Sequence, residues 1–186
     1  MSVPSPFRLR EIARHLDDGG LIAYPTEAVF GLGCAPLDPF AVMRLLALKQ
    51  RDVGKGLILI ADTPEMLLPF AAVDAEEWGR IVADWPAART VIVPAADGVP
   101  PWLTGGRKEI ALRVPAHETA RAISRAFGGP IVSTSANVSG RPAARDALTA
   151  RRLFARADVQ IIPGNVDRRA RPSQIIHWPT GRTIRS

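Results

Sequence analysis

One stretch, residues 20–61, constrains the fold of this chain more than any other. The apolar run Leu21–Ala23 ends in Tyr24-Pro25-Thr26-Glu27, and a glycine-punctuated loop, Gly31-Leu32-Gly33, follows. Asp38-Pro39 then gives an N-cap with proline at the first helical position, opening a helix that runs to Lys49. Phe40, Met43, Leu46 and Ala47 recur at three- and four-residue steps, which predicts that this face packs on a sheet. Lys49-x-Arg51-x-x-x-Lys55 leads into a second apolar run, Leu57–Ala61. Strand, loop, helix, basic turn and strand in that order predict a crossover α/β unit. The chain has only three lysines, Lys49, Lys55 and Lys108, and two of them sit in this turn. Cations packed so closely repel one another unless an anion lies among them. The turn therefore reads as a seat for phosphates.

The remaining elements extend the same alternation. Ser5-Pro6 caps a first helix, which Gly19-Gly20 ends. Helices are expected over Asp74–Trp85, Glu118–Phe127 and Asp146–Ala155. Strands are expected over Thr90–Val93, Ile110–Val114, Ile131–Ser133, Val159–Ile162, Gln174–Trp178 and Thr183–Arg185. Pro179-Thr180-Gly181 closes a terminal hairpin. The fold class expected is α/β: a twisted mixed sheet, largely parallel with antiparallel parts, flanked by helices and opening on a concave basic crevice. No repeat or linker divides the chain, so residues 1–186 are read as one domain.

Composition removes several function classes. No apolar run approaches the roughly 18–20 residues needed to span a bilayer. The first residues mix acid and arginine, unlike a signal peptide, so a cytoplasmic location without membrane partners is expected. Cys34 is alone, which excludes an internal disulfide, and it reads as a small buried residue. The three histidines are scattered without zinc-ligand spacing. Residues 1–140 carry a net charge of −1 and residues 141–186 a net of +7. That asymmetry fits either a surface facing a polyanion such as RNA, or a solvated arginine-rich face.

The loops after Gly31 and Gly54 lack the glycine and Ser/Thr pattern of dinucleotide and P-loop fingerprints. What remains is a set of polar residues just past apolar runs, where strand ends open onto a crevice. They are Thr26 and Glu27; Lys49, Arg51 and Lys55; Thr90; Arg113; Ser133, Ser135 and Asn137; and Ser173. Each taken alone is equally a turn or helix-end residue. Together they offer hydroxyls, an amide and cations suited to phosphate and ribose.

At AYPTEAVFGLGC, LKQRDVGKGLILIA, ALRVP, PIVSTSANVSGRPA and RPSQII the chain resembles the YrdC-like family, in its short single-domain bacterial form. The likeness runs from about residue 7 to the end. It implies a nucleotidyltransferase that converts L-threonine, bicarbonate or CO2, and ATP to L-threonylcarbamoyl-AMP and pyrophosphate. It further implies service to N6-threonylcarbamoyladenosine formation on tRNA, with a downstream transferase complex and contact with tRNA. Under that resemblance Lys49 and Arg51 are the electrostatic catalysts, with no general base, and with Lys55 they face the ATP phosphates. Thr90, Ser133, Ser135 and Asn137 contact the nucleotide, and Thr26, Arg113 and Ser173 surround threonine. Mg2+ is expected with ATP, and Glu27 binds metal, orients the amine or, as the first reading, is a loop residue that bonds backbone N–H groups. One departure is visible: the family has Gly-Pro before the strand at Thr90, where this chain reads Pro86-Ala87-Ala88-Arg89. The alternatives are an RNA-binding module without catalysis and a YciO-type relative.

Overall fold

The structure, a computed structural model, describes residues 3–167 and 169–185. In chain order the elements are α1 (Pro6–Asp17), β1 (Leu21–Pro25), β2 (Phe30–Gly33), α2 (Pro39–Lys49), β3 (Ile58–Ile60), α3 (Ala75–Val82), β4 (Arg89–Pro94), α4 (Pro101–Thr104), β5 (Glu109–Arg113), α5 (Glu118–Phe127), β6 (Ile131–Ser135), α6 (Ala147–Leu153), β7 (Val159–Ile161), β8 (Gln174–His177) and β9 (Arg182–Arg185). The strands form one sheet in the order β7-β1-β2-β6-β3-β5-β4-β8-β9. None of the described helices is long and apolar enough to cross a membrane.

Two expectations need correction. The sheet is mixed and helix-flanked, but β1/β7, β3/β5 and β4/β8 are its parallel pairs and the other five pairings are antiparallel. Residues 20–61 are not a crossover unit either. Gly31-Leu32-Gly33, read as loop, belongs to β2, a strand antiparallel to β1, and β3 lies beyond β6. Glycine hides such a strand from propensity. Here the backbone approach demands it: a Cβ on Gly33 would lie 2.4 Å from the Val132 carbonyl oxygen, and one on Gly31 3.1 Å from the Tyr24 ring.

The central strands are apolar on both faces because both are covered. Leu21, Ala23, Leu59 and Leu112 join the large core beneath α2, while Ile22, Tyr24, Ile60 and Ile131 face Ile12 and Leu16 of α1 and Ile123 of α5. On α2 the buried face is Ala41, Val42, Leu45, Leu46 and Lys49; Phe40 and Met43 are 79% and 53% exposed. The apolar stripe is wide enough for two registers, and the one adopted takes Lys49 inside. Asp38 accepts from the amides of Phe40 (2.9 Å) and Ala41 (3.1 Å) at the start of this helix. Gln50 ends it at φ 50°, a left-handed conformation that non-glycine residues adopt at a cost of about 1 kcal/mol.

Candidate active site

That reversal at Gln50 separates two neighbouring cations. Lys49 turns inward and is 1% exposed. Its ammonium donates to the backbone oxygen of Ser135, to that of Asn137 (2.9 Å) and to Asn137 Oδ1 (2.9 Å). Its own carbonyl accepts from the Ser139 amide at 2.8 Å. An ammonium has three protons, so all are spent on this loop. Lys49 was expected to face phosphates. In the structure it lies beneath the Ser135–Asn137 loop and outside the cavity lining. Burial, and then the nearby Arg51, pull its pKa down to about 8.

Arg51 goes the other way, into a cavity of about 420 Å3, a size usual for small-molecule sites. Its Nη2 donates to Gly56 O at 3.0 Å, while its buried Nε has no partner. Lys55 also lines the cavity, from a turn that Asp52 caps through the Gly54 amide at 2.8 Å. The backbone of this turn packs on the end of α4. A Cβ on Gly105 (φ 66°) would lie 2.7 Å from Gly54 O. Arg107, just beyond, donates to Gly54 O at 2.6 Å and lines the cavity beside Arg51. Burial, and then Arg107, lower the pKa of Arg51.

The loop after β6 forms another wall. Ser133 and Ser135 line the cavity. Ser135 Oγ donates to Asn137 Oδ1 at 2.7 Å, and Asn137 Nδ2 donates to Arg141 O at 2.5 Å. Asn137, expected at the nucleotide, is therefore the link between Lys49 and Ser135 and does not itself line the cavity.

A third cluster closes the far end. Thr26 Oγ1 donates to Val29 O at 2.6 Å, which leaves its lone pairs free to accept. Arg113, buried, donates from Nε to Ala87 O at 3.1 Å and pairs through Nη2 with Glu27. Ala87 lies in the segment that departs from the family's Gly-Pro, and it serves here as the seat of Arg113. Glu27 also accepts from the Ala116 amide at 2.7 Å. Ser173 Oγ stands 3.2 Å from Thr90 Oγ1. Thr90 is fully buried in β4, so it reaches the cavity only through Ser173.

Of the predicted residues, Thr26, Glu27, Arg51, Lys55, Arg113, Ser133, Ser135 and Ser173 line one cavity, and Lys49, Thr90 and Asn137 stand behind it. Arg107, Arg171 and Arg185 line it as well and were missed. The arginine excess of the last quarter was the signal for two of them. Six cationic side chains thus face two carboxylates, Glu27 and Glu109, and Glu109 is itself bonded to His177 at 2.7 Å. No group of three His, Cys, Asp or Glu side chains suited to a metal occurs among the described residues. Glu27, expected as a metal candidate, is already engaged by Arg113 and Ala116 N.

An open mixed sheet whose strand ends and glycine-backed turns surround a cavity lined by six cationic side chains makes this an α/β protein with a cavity suited to anionic small molecules. Residues 14–186 match the Sua5/YciO/YrdC family model, described as "Telomere recombination", and the chain belongs to that family. It is 52% identical to a threonylcarbamoyl-AMP synthase of Alkalilimnicola ehrlichii, over 97% of this chain and 96% of that one. Identity to the synthase of Halorhodospira halophila is 45%, over 97% and 95%. Among solved structures, P. abyssi Sua5 complexed with L-threonine superposes with a TM-score of 0.87 at 32% identity. That match covers 95% of this chain but only 52% of the Sua5 chain, so the present chain spans about half its length. E. coli YciO gives 0.86 at 26% identity, covering 98% and 90%.

Proposed function

We propose that this chain, acting as one domain, is a threonylcarbamoyl-AMP synthase, making L-threonylcarbamoyl-AMP and pyrophosphate from L-threonine, bicarbonate or CO2, and ATP. The observation that carries this reading is the convergence on one cavity of the Arg51–Lys55 turn, the Ser133–Ser135 loop and the Thr26–Arg113–Ser173 cluster. The relatives named for that activity match nearly end to end, whereas YciO is far more distant in sequence. The structure of Sua5 with L-threonine supports an amino acid as one of the ligands.

The chemistry follows from the charges. The amine of threonine adds to CO2 and gives up a proton to solvent, leaving a carbamate anion, and a carbamate oxygen attacks the α-phosphorus of ATP. One O–P bond forms, the bond to the β-phosphate oxygen breaks, and pyrophosphate leaves with the electron pair. Negative charge grows on the leaving group, where Arg51, Lys55 and Arg107 stabilise it. Ser133 and Ser135 hold the nucleotide. Thr26 accepts from the amine, and Arg113 and Ser173 hold the amino acid's other end. Holding both reactants in line supplies up to roughly 7–11 kcal/mol of the barrier. No general base is needed, since the carbamate is already an anion. The two cavity carboxylates are occupied, so the residues do not fit a protein-held Mg2+. A Mg2+ would be held by the triphosphate and water, and no step here depends on it. tRNA and a downstream transferase complex are the partners this reading brings with it.

Pyrophosphate release from ATP should require threonine and bicarbonate together. Release that ignores threonine would sink the assignment, and salt-sensitive tRNA binding without turnover would favour the non-catalytic alternative. A pH dependence also follows. Lys49 makes all three of its bonds to the loop only while protonated, and its pKa near 8 places the loss of that proton above neutrality. The profile of kcat/KM for ATP should therefore fall on its basic side with a midpoint near 8. A flat profile to pH 9.5, tested on the free enzyme, would remove Lys49 from that role.

A further inference from the structure

Tyr24 is the only tyrosine in the chain, and it is fully buried where the core meets the cavity. Its face of the sheet is covered at one end by α1 and α5, and there Tyr24 packs with Ile60 and Ile131. Side chains alternate along β6, so the face that Ile131 turns to this core continues as Ser133 and Ser135, which line the cavity. The Tyr24 ring lies across β2 toward β6. A Cβ on Gly31 would stand 3.1 Å from its Cζ and 3.3 Å from its oxygen, and one on Gly33 3.1 Å from its Cε1. β2 thus gives up two side chains to seat one ring.

The phenol oxygen at the tip of that ring has no hydrogen-bond partner among the described residues. Burial drives its pKa up, and Ser133 is the foremost group pulling it back, ahead of Arg113. The phenol therefore stays protonated, a donor on the Ser133 side of the wall. A buried hydroxyl left unpaired destabilises a fold, and phenylalanine would fill the same space without that loss. Packing accounts for the ring and not for its oxygen. Thr26, Ser135 and Ser173, also on the wall, are each held by hydrogen bonds within the protein: with Val29 O, with Asn137 Oδ1, and with Thr90 and Arg185. Ser133 has the phenol behind it instead.

We propose that Tyr24 is a positioning residue for the nucleotide: its O–H donates to Ser133 Oγ from behind, and Ser133 turns its own proton to an acceptor on the bound nucleotide. A serine oxygen accepts while its proton donates, so the two bonds polarise in one direction and hold one rotamer. Tyr24 itself touches no ligand. This rests on the proposed function, which assigns Ser133 to ATP.

The test is calorimetric titration of ATP into wild type, Tyr24→Phe, Ser133→Ala and the double variant, with melting temperatures and steady-state kinetics. Tyr24→Phe should melt no lower than wild type, bind ATP about three- to tenfold more weakly and change the KM for threonine by less than about twofold. In the Ser133→Ala background the same substitution should change ATP affinity by less than about 1.5-fold, because the bond it removes is already gone. Isotopic labelling of the tyrosine carbon that bears the hydroxyl gives a single resonance. That resonance should move on ATP addition in wild type and hardly move in Ser133→Ala. Unchanged ATP affinity in Tyr24→Phe, an equal loss in both backgrounds, a melting temperature lowered by several degrees, a resonance indifferent to ATP, or no ATP binding by wild type each overturns the proposal. Wild type that binds ATP but releases no pyrophosphate with threonine and bicarbonate overturns the synthase reading instead, and the titrations still decide on Tyr24.

Discussion

Arg51→Ala should lower kcat by about 10²–10³ while the protein folds as before. Losses of that size follow removal of a preorganised donor aimed at charge that develops in the transition state. Arg51 fits this description better than any other side chain in the cavity. It follows the Gln50 reversal directly, its Nη2 is steadied by Gly56 O, and Arg107 and Lys55 line the same wall. The neighbouring acid, Asp52, caps the Gly54 amide and forms no ion pair with the cluster among the described residues. An arriving triphosphate therefore relieves repulsion among three cations, and a departing pyrophosphate gains more from them than bound ATP does. Stability should hardly move. The substitution loses one hydrogen bond, worth about 1 kcal/mol, and removes one like charge from the cluster. In a chain of this length that net is within about 2–4 °C of melting temperature. Arg51→Lys should recover part of the rate, because charge survives and the planar fork does not. A variant Arg51→Ala turning over within threefold of wild type would end the case for this turn as the leaving-group seat.

The positions of the polar residues just past apolar runs were legible in the sequence because strand ends and helix caps are local features. Asp38-Pro39 fixed the start of α2, and the Pro179–Gly181 turn gave the terminal hairpin. What escaped depended on contacts far apart in the chain. β2 was masked by two glycines whose reason lies in Tyr24 and in Val132, a hundred residues on. α4 is a single turn of Pro-Trp-Leu-Thr in a proline-rich segment, too short for periodicity to reveal, yet it builds the wall beneath Gly54 and carries Arg107 into place. The burial of Lys49 could not be read from α2 alone, since the acceptors that make it tolerable come from β6 and beyond. Arg185 reaches the cavity from β9, whose register against β8 shifts between Ile175 and Ile176, and no local pattern announces that.

Lys49 supplies the second large effect, and it acts on a different quantity. Lys49→Ala should cost both activity and stability, because the ammonium organises a loop and is not itself exposed to ligand. Asn137 O has no other partner among the described residues, while Ser135 O keeps the Asn137 amide. One buried acceptor left unsatisfied costs about 1–3 kcal/mol, and truncating the buried stem adds a cavity term. Lys49→Met separates the two: it keeps the stem and removes only the donors, so it should lose about 1–3 kcal/mol and no more. Both variants should lose at least about 10² in kcat/KM, the usual consequence of a displacement near 1 Å in a positioning group. Hydrogen exchange distinguishes positioning from direct contact. The Ala136 and Ser139 amides, which bond to Phe30 O and Lys49 O, should lose protection in Lys49→Met but not in Arg51→Ala. If the loop stays protected while activity vanishes, Lys49 must leave its three oxygens and meet the phosphates itself, and the arrangement seen here is a resting one.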